Sequence, residues 1–147
     1  MPSCRPSNVL RPRRLRLPIA PIALLALSGA PASATWSILI ADTRTGEIAV
    51  GSATCLNGFD LRAETPVLLL GRGAITAQSA VDSSGMNRAR AFEGFAKGLT
   101  PAEIFAILEA NDPGHSNRQY GMIDALGNTL TFSGADNADY AGGGTGR

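Results

Sequence analysis

The chain has 147 residues, with 13 Lys/Arg against 12 Asp/Glu, a single His and 44% apolar residues. That length suits one domain with a core of its own, and the near balance of charge offers no basic footprint for DNA or RNA. One His, two Cys and scattered acids match no metal-ligand spacing, so neither a metal nor another cofactor is expected.

The charge is unevenly placed. Arg11, Arg13, Arg14 and Arg16 precede an apolar run from Leu17 to Leu27, and Ser28 to Ala34 is a small-residue exit. This is the pattern of a secretory signal peptide over residues 1–34. The apolar run is about half the ~20 residues that a bilayer span needs, and Pro18 and Pro21 interrupt it. A retained anchor is the alternative, but no membrane association is expected after cleavage. Cys4 lies before the apolar run, which is the wrong side for a lipid attachment site.

Ala32-Ser33-Ala34 has the small-x-small form cut by signal peptidase, so the expected product is a secreted or periplasmic domain over residues 35–147. That part holds all 12 acids and 8 of the 13 Lys/Arg, a net charge of −4, which again disfavours nucleic acid. Cleavage after Ala34 makes Thr35 the first residue. Its hydroxyl is a weak nucleophile, but its own α-amine titrates near pH ~8 and is within reach to take the proton. Nucleophile and adjacent base are the minimum for acyl transfer. The plainer reading is a β-branched residue that begins a strand.

From Thr35 onward the elements follow in order. Residues 36–41 and 47–54 read as two strands joined at Asp42-Thr43-Arg44-Thr45-Gly46, an opening hairpin. Leu56 to Glu64 reads as a loop around Asn57-Gly58. Cys55, the one cysteine beyond the leader, reads as a small buried apolar residue. Strands are expected at 67–70 and 74–80 about Gly71-Arg72-Gly73. A helix is expected from Met86 to Lys97, with Ala89, Phe92, Phe95 and Ala96 on its apolar face and Gly98 as the stop. Thr100-Pro101-Ala102-Glu103 matches a capping box opening a second helix, whose apolar face is Ile104, Phe105, Ile107 and Leu108. Asp112-Pro113-Gly114 ends it and places His115 in an exposed turn. Residues 120–124 and 129–132 form a third hairpin across Leu126-Gly127-Asn128. The order β-β-β-β-α-α-β-β implies an α+β domain with helices layered on antiparallel sheet.

Five stretches, taken together, resemble one family: 35–54 (TWSILIADTRTGEIAVGSAT), 71–79 (GRGAITAQS), 98–103 (GLTPAE), 112–121 (DPGHSNRQYG) and Ile123-Asp124-Ala125-Leu126-Gly127. It is an uncharacterised bacterial and archaeal domain-of-unknown-function family, grouped with the Ntn (N-terminal nucleophile) hydrolases. The opening hairpin is also distantly similar to that of proteasome β subunits. The resemblance implies an Ntn-hydrolase-like α-β-β-α sandwich with Thr35 at the end of a central strand. It further implies an oxyanion donor at the strand end Gln78-Ser79-Ala80, with the Ser79 N–H foremost and Gln78 beside the substrate. Asp124 takes the place of an aspartate that supports the nucleophile, although Asp-Ala-Leu-Gly-Asn also reads as a hairpin turn that wants Asp. Arg62 is placed to approach Thr35 or an acidic substrate, although most arginines in such loops are solvated.

The sequence departs from the family in two ways. Members of usual length continue into a Gly-His and Gln-Gly-Asn segment, whereas this chain ends in Ala141-Gly142-Gly143-Gly144-Thr145-Gly146-Arg147, so the domain is expected to be incomplete at its C-terminus. The single lysine, Lys97, falls on a helix rather than on a strand facing Thr35. The expected function is a secreted Ntn-type amidohydrolase that uses Thr35 on a small-molecule or peptide substrate. The alternative is a non-catalytic binding or structural domain on the same fold.

Overall fold

The computed structural model describes residues 35–146; the expected signal peptide and the cut after Ala34 lie outside the described residues. Strand β1 (Thr35–Asp42) and strand β2 (Glu47–Thr54) pair antiparallel from Thr35 opposite Thr54 to Asp42 opposite Glu47. Their turn is closed by Asp42, whose carbonyl accepts from Gly46 N at 2.7 Å and whose carboxylate accepts from Arg44 N at 2.9 Å. Gly46 has φ +76°, the left-handed conformation that glycine adopts without a Cβ clash.

The segment read as a loop contains a short helix, α1 (Leu61–Glu64). Asp60 is its N-cap and accepts from the backbone N–H groups of Arg62 and Ala63. Cys55 is exposed rather than buried, because it lies just past the end of β2.

Strands β3 (Pro66–Leu69), β4 (Gly73–Ser79), β5 (Arg118–Asp124) and β6 (Thr129–Ser133) form one antiparallel sheet in that order. Between β4 and β5 the chain makes helix α2 (Met86–Ala96), helix α3 (Pro101–Asn111) and a 3-10 turn (His115–Asn117). The expected capping box is present: Thr100 Oγ1 accepts from Glu103 N, and the Glu103 carboxylate accepts from Thr100 N at 2.8 Å.

Helices α2 and α3 cover one face of this sheet. Ala91, Phe95, Ile104 and Leu108 meet Ile75, Tyr120 and Met122 in the core. The face of α2 differs from the expected one. Asn87, Ala91, Gly94 and Phe95 are buried, whereas Ala89, Phe92 and Ala96 are exposed. The close packing explains the shift: a Cβ on Gly94 would stand 2.6 Å from Ile104 Cγ1, so a small residue is what lets α2 and α3 touch. An apolarity count passes over such a position.

The β1–β2 hairpin lies against the other face of the sheet. Ser37 meets Gln78, Leu39 is next to Gly121, and Thr43 is next to Gly127. The described layers therefore run helices, four-stranded sheet, hairpin. Among the described residues no second helical layer covers the hairpin, and Trp36, Ile38 and Ile40 are exposed on its outer face. No helix among the described residues is long and apolar enough to cross a membrane.

Candidate active site

Strand alternation sorts the hairpin into two kinds of surface. Trp36, Ile38 and Ile40 point outward, so Thr35, Ser37, Leu39 and Ala41 point toward the larger sheet. Their cross-strand partners on the same face are Thr54, Ser52, Val50 and Ile48. One end of this inner face thus carries four hydroxyls and the other end is aliphatic. At the hydroxyl end Thr35 Oγ1 lies 2.8 Å from Thr54 Oγ1, and Thr54 Oγ1 also accepts from Leu56 N at 3.2 Å. Ser37 Oγ donates to Gln78 Oε1 at 2.5 Å. Ser52 Oγ is buried and has no hydrogen-bond partner. An unpaired buried hydroxyl costs ~1–3 kcal/mol, so it marks a place where stability is not optimised.

The same end of the fold is where β4 stops. Ser79 closes that strand at φ +67°, a conformation costing ~1–3 kcal/mol for a residue with a side chain. Its hydroxyl donates to Asn137 Oδ1 at 2.6 Å, and Asn137 Nδ2 donates to Arg118 O at 2.9 Å, which fixes the corner. Gln78 donates to Gln119 Oε1 at 3.3 Å. Thr35, Gln78 and Ser79 therefore share one end of the two packed sheets.

Asp124 does not join them. It pairs with Gly73 at the far end of β4, six residues from Ser79, or about 20 Å at ~3.3 Å per residue. It also shares strand parity with Tyr120 and Met122, which face the helices. Its carboxylate accepts from Leu126 N, Asn128 N and Asn128 Nδ2, so it is the turn aspartate of the β5–β6 hairpin. Arg62 is solvated, with its side chain 94% exposed and 3.7 Å from Asp60. Lys97 pairs with Glu93 on α2.

His115 corrects a further expectation. Its ring stacks on Phe132 with centroids 4.5 Å apart and touches Phe105 and Tyr120, and both ring nitrogens are buried. It closes the core on the helical face instead of standing in solvent.

That helical face carries a cluster of coupled polar and charged side chains. Asp112 accepts from Arg118 Nε at 2.8 Å and Nη2 at 3.1 Å, from Asn87 Nδ2 at 2.6 Å and from Gly114 N at 3.0 Å. The Arg118 hydrogen bonds hold the Asp112 carboxyl far below its ordinary range, against the opposing effect of burial. Tyr120 is pushed well above the usual phenol range, first by burial and then by the Asp112 charge. Arg118, Asn87 and Tyr120 all donate to Asp112, so this is a structural clasp, whereas the adjoining His115 ring nitrogens have no hydrogen-bond partner. No group of His, Cys, Asp and Glu among the described residues is arranged to hold a metal ion.

With this geometry in hand, the chain can be set beside known proteins. A family model described as a family of unknown function, DUF1028, matches residues 35–147. The chain belongs to the DUF1028 family. The crystal structure of a DUF1028 protein from Silicibacter pomeroyi is 27% identical, with a TM-score of 0.60 over 74% of this chain. The chain spans 46% of the length of that protein. No curated protein matches the sequence. The match begins at Thr35, so the family domain and the hydroxyl cluster start at the same residue.

Sequence reasoning passed over Ser37, Ser52 and Thr54. Their signal was present as mirrored triplets, Thr35-Trp36-Ser37 and Ser52-Ala53-Thr54, which the hairpin register sets opposite each other.

Proposed function

We propose that this DUF1028 domain is a secreted or periplasmic hydrolase of the N-terminal nucleophile type, on an Ntn-like fold, activated by a cut ahead of Thr35. The observation that carries this reading is the position of Thr35, first in β1 with its hydroxyl 2.8 Å from Thr54 Oγ1. In the cut protein the new α-amine takes the proton from Thr35 Oγ, which attacks an acyl carbon. Backbone N–H groups at the corner about Ser79 hold the oxyanion. As the intermediate collapses, the carbon–nitrogen bond breaks and the α-ammonium gives its proton to the leaving amine, which leaves an ester on Thr35 Oγ. The free α-amine then deprotonates a water that hydrolyses the ester, releasing the acid and restoring the amine and hydroxyl. Thr54 orients the nucleophile through the hydroxyl pair, while Asp124 and Arg62 have no part in the chemistry.

The displacement of Asp124 and the pairing of Lys97 with Glu93 favour a second reading, a non-catalytic binding domain on the same scaffold. Two steps separate the readings. Intact mass of the exported protein is expected to place its first residue at Thr35; a different start removes the amine from the site and overturns the hydrolase. Acetylating that amine is then expected to abolish turnover of acyl substrates and leave ligand binding intact.

A further inference from the structure

The two sheets do not close fully on each other. A cavity of about 190 Å³ remains between β1, β5 and β6, walled on its remaining side by Gly142–Gly146. Its polar lining includes Ser37, Thr76, Gln78, Gln119, Thr129 and Thr131, and among the described residues no Asp, Glu, Lys, Arg or His contributes to it. A charged ligand entering there would lose its hydration without a counter-charge, whereas a neutral amide would exchange water for hydroxyl and amide partners.

The glycine tract shows what the lining accepts. Gln119 Nε2 donates to the Gly142 carbonyl at 2.9 Å and to Ser133 Oγ at 3.0 Å. Gln119 Oε1 accepts from Gln78, which in turn accepts from Ser37. A main-chain carbonyl is thereby read by a relay that crosses from one sheet to the other. Beside it, a Cβ on Gly143 would run into Thr131 Oγ1, so the wall admits backbone and excludes a side chain at that point. Gly144 and Gly146 have open space around their Cα positions, so the restriction is local. The cavity is smaller than the ~300–1,000 Å³ usual for a ligand site, and lifting the tract would enlarge it.

We propose that this cleft, the cavity together with the groove in which the tract lies, is a binding site for extended, uncharged polypeptide with glycine at the position against Thr131, and that residues 142–146 occupy part of it as a tethered ligand. The site stands on the cleft alone, so it holds whether or not Thr35 is a nucleophile. Displacing the tract frees the Gln119 amide and the Thr131 hydroxyl for an incoming chain.

The test uses the full chain and a fluorescent synthetic peptide with the sequence of residues 141–146. Gly143→Val expels the tract and is expected to raise peptide affinity at least tenfold over the wild-type chain, whose own tract competes. Adding Gln119→Ala is expected to remove at least fivefold of that gain, and a peptide with valine at the Gly143 position is expected not to bind. A Gly143→Val protein with unchanged circular dichroism that binds no better than wild type overturns the proposal, as does equal binding of the valine peptide. In the wild-type chain, excess peptide is expected to speed amide exchange at Gly142–Gly146; unchanged exchange there also overturns it.

Discussion

The two faces of the four-stranded sheet are built on opposite terms. On the helical face the aliphatic and aromatic side chains are closed over one another, and a largely buried ion pair, Asp112–Arg118, is joined by further hydrogen bonds from Asn87 and Gly114. On the hairpin face the contact includes hydroxyls and neutral amides, a cavity, and a buried serine hydroxyl without a partner. The first face holds the fold together, and among the described residues its unpartnered buried polar atoms are the two His115 ring nitrogens, packed among aromatic rings. The second sacrifices packing, and buried polarity that is not used for stability is where chemistry or binding is expected.

Substitutions on the two faces sharpen that contrast, and the largest effect is expected from Asp112→Ala. It strands the Arg118 guanidinium, which is largely buried, and is expected to cost ~3–5 kcal/mol of unfolding free energy in urea titrations. A loss under 1 kcal/mol would show that the clasp does not hold the helical face.

Gly94→Ala comes next. Alanine favours a helix over glycine by ~0.5–1 kcal/mol, but the new Cβ would stand 2.6 Å from Ile104 Cγ1, and overpacking costs ~1–3 kcal/mol. The net expectation is a lower melting temperature. A higher one would mean that α2 and α3 have room to separate.

The pH dependence follows from the same clasp. Asp112 titrates below its ordinary value of 3.8 in the folded chain, so its contribution is complete above that value and is lost as pH falls toward the depressed folded value. Stability is therefore expected to decline below about pH 4, and Asp112→Asn is expected to flatten that acid limb. An unchanged acid limb in the variant would assign it to other carboxylates.

The smallest effect belongs to the hairpin face. Ser52→Ala removes a hydroxyl with no partner, so stability is expected to hold or rise by up to ~1 kcal/mol. Thr54→Ala, which breaks the pair with Thr35, is expected to cost ~0.5–1.5 kcal/mol. If Ser52→Ala were the worse of the two, the polarity of this face would be structural after all.

Much of the helical face was legible in the sequence because its signals are local. The capping box at Thr100, the proline that opens α3 and the Asp124 turn all lie within a few residues of chain. The short helix α1 was missed although Asp60 stood ready as its cap, since four residues carry no periodicity. The buried side of α2 was misphased because a glycine and an asparagine, not the most apolar residues, face inward. The Asp112–Asn87 bond spans 25 residues and the Ser37–Gln78 bond spans 41, so neither leaves a mark on spacing. Thr35 was found from its place after a small-residue stretch and from family likeness, whereas its partner Thr54 needed the hairpin register.

The central claim is that Thr35 is the nucleophile of this face. The most direct measurement is peptide mapping by mass spectrometry of the exported, processed protein after reaction with an acylating probe. A single adduct on Thr35 Oγ, absent from Thr35→Ala, is the predicted result. Adducts elsewhere, or none on a protein that begins at Thr35, would contradict it and leave the cleft as a binding site only.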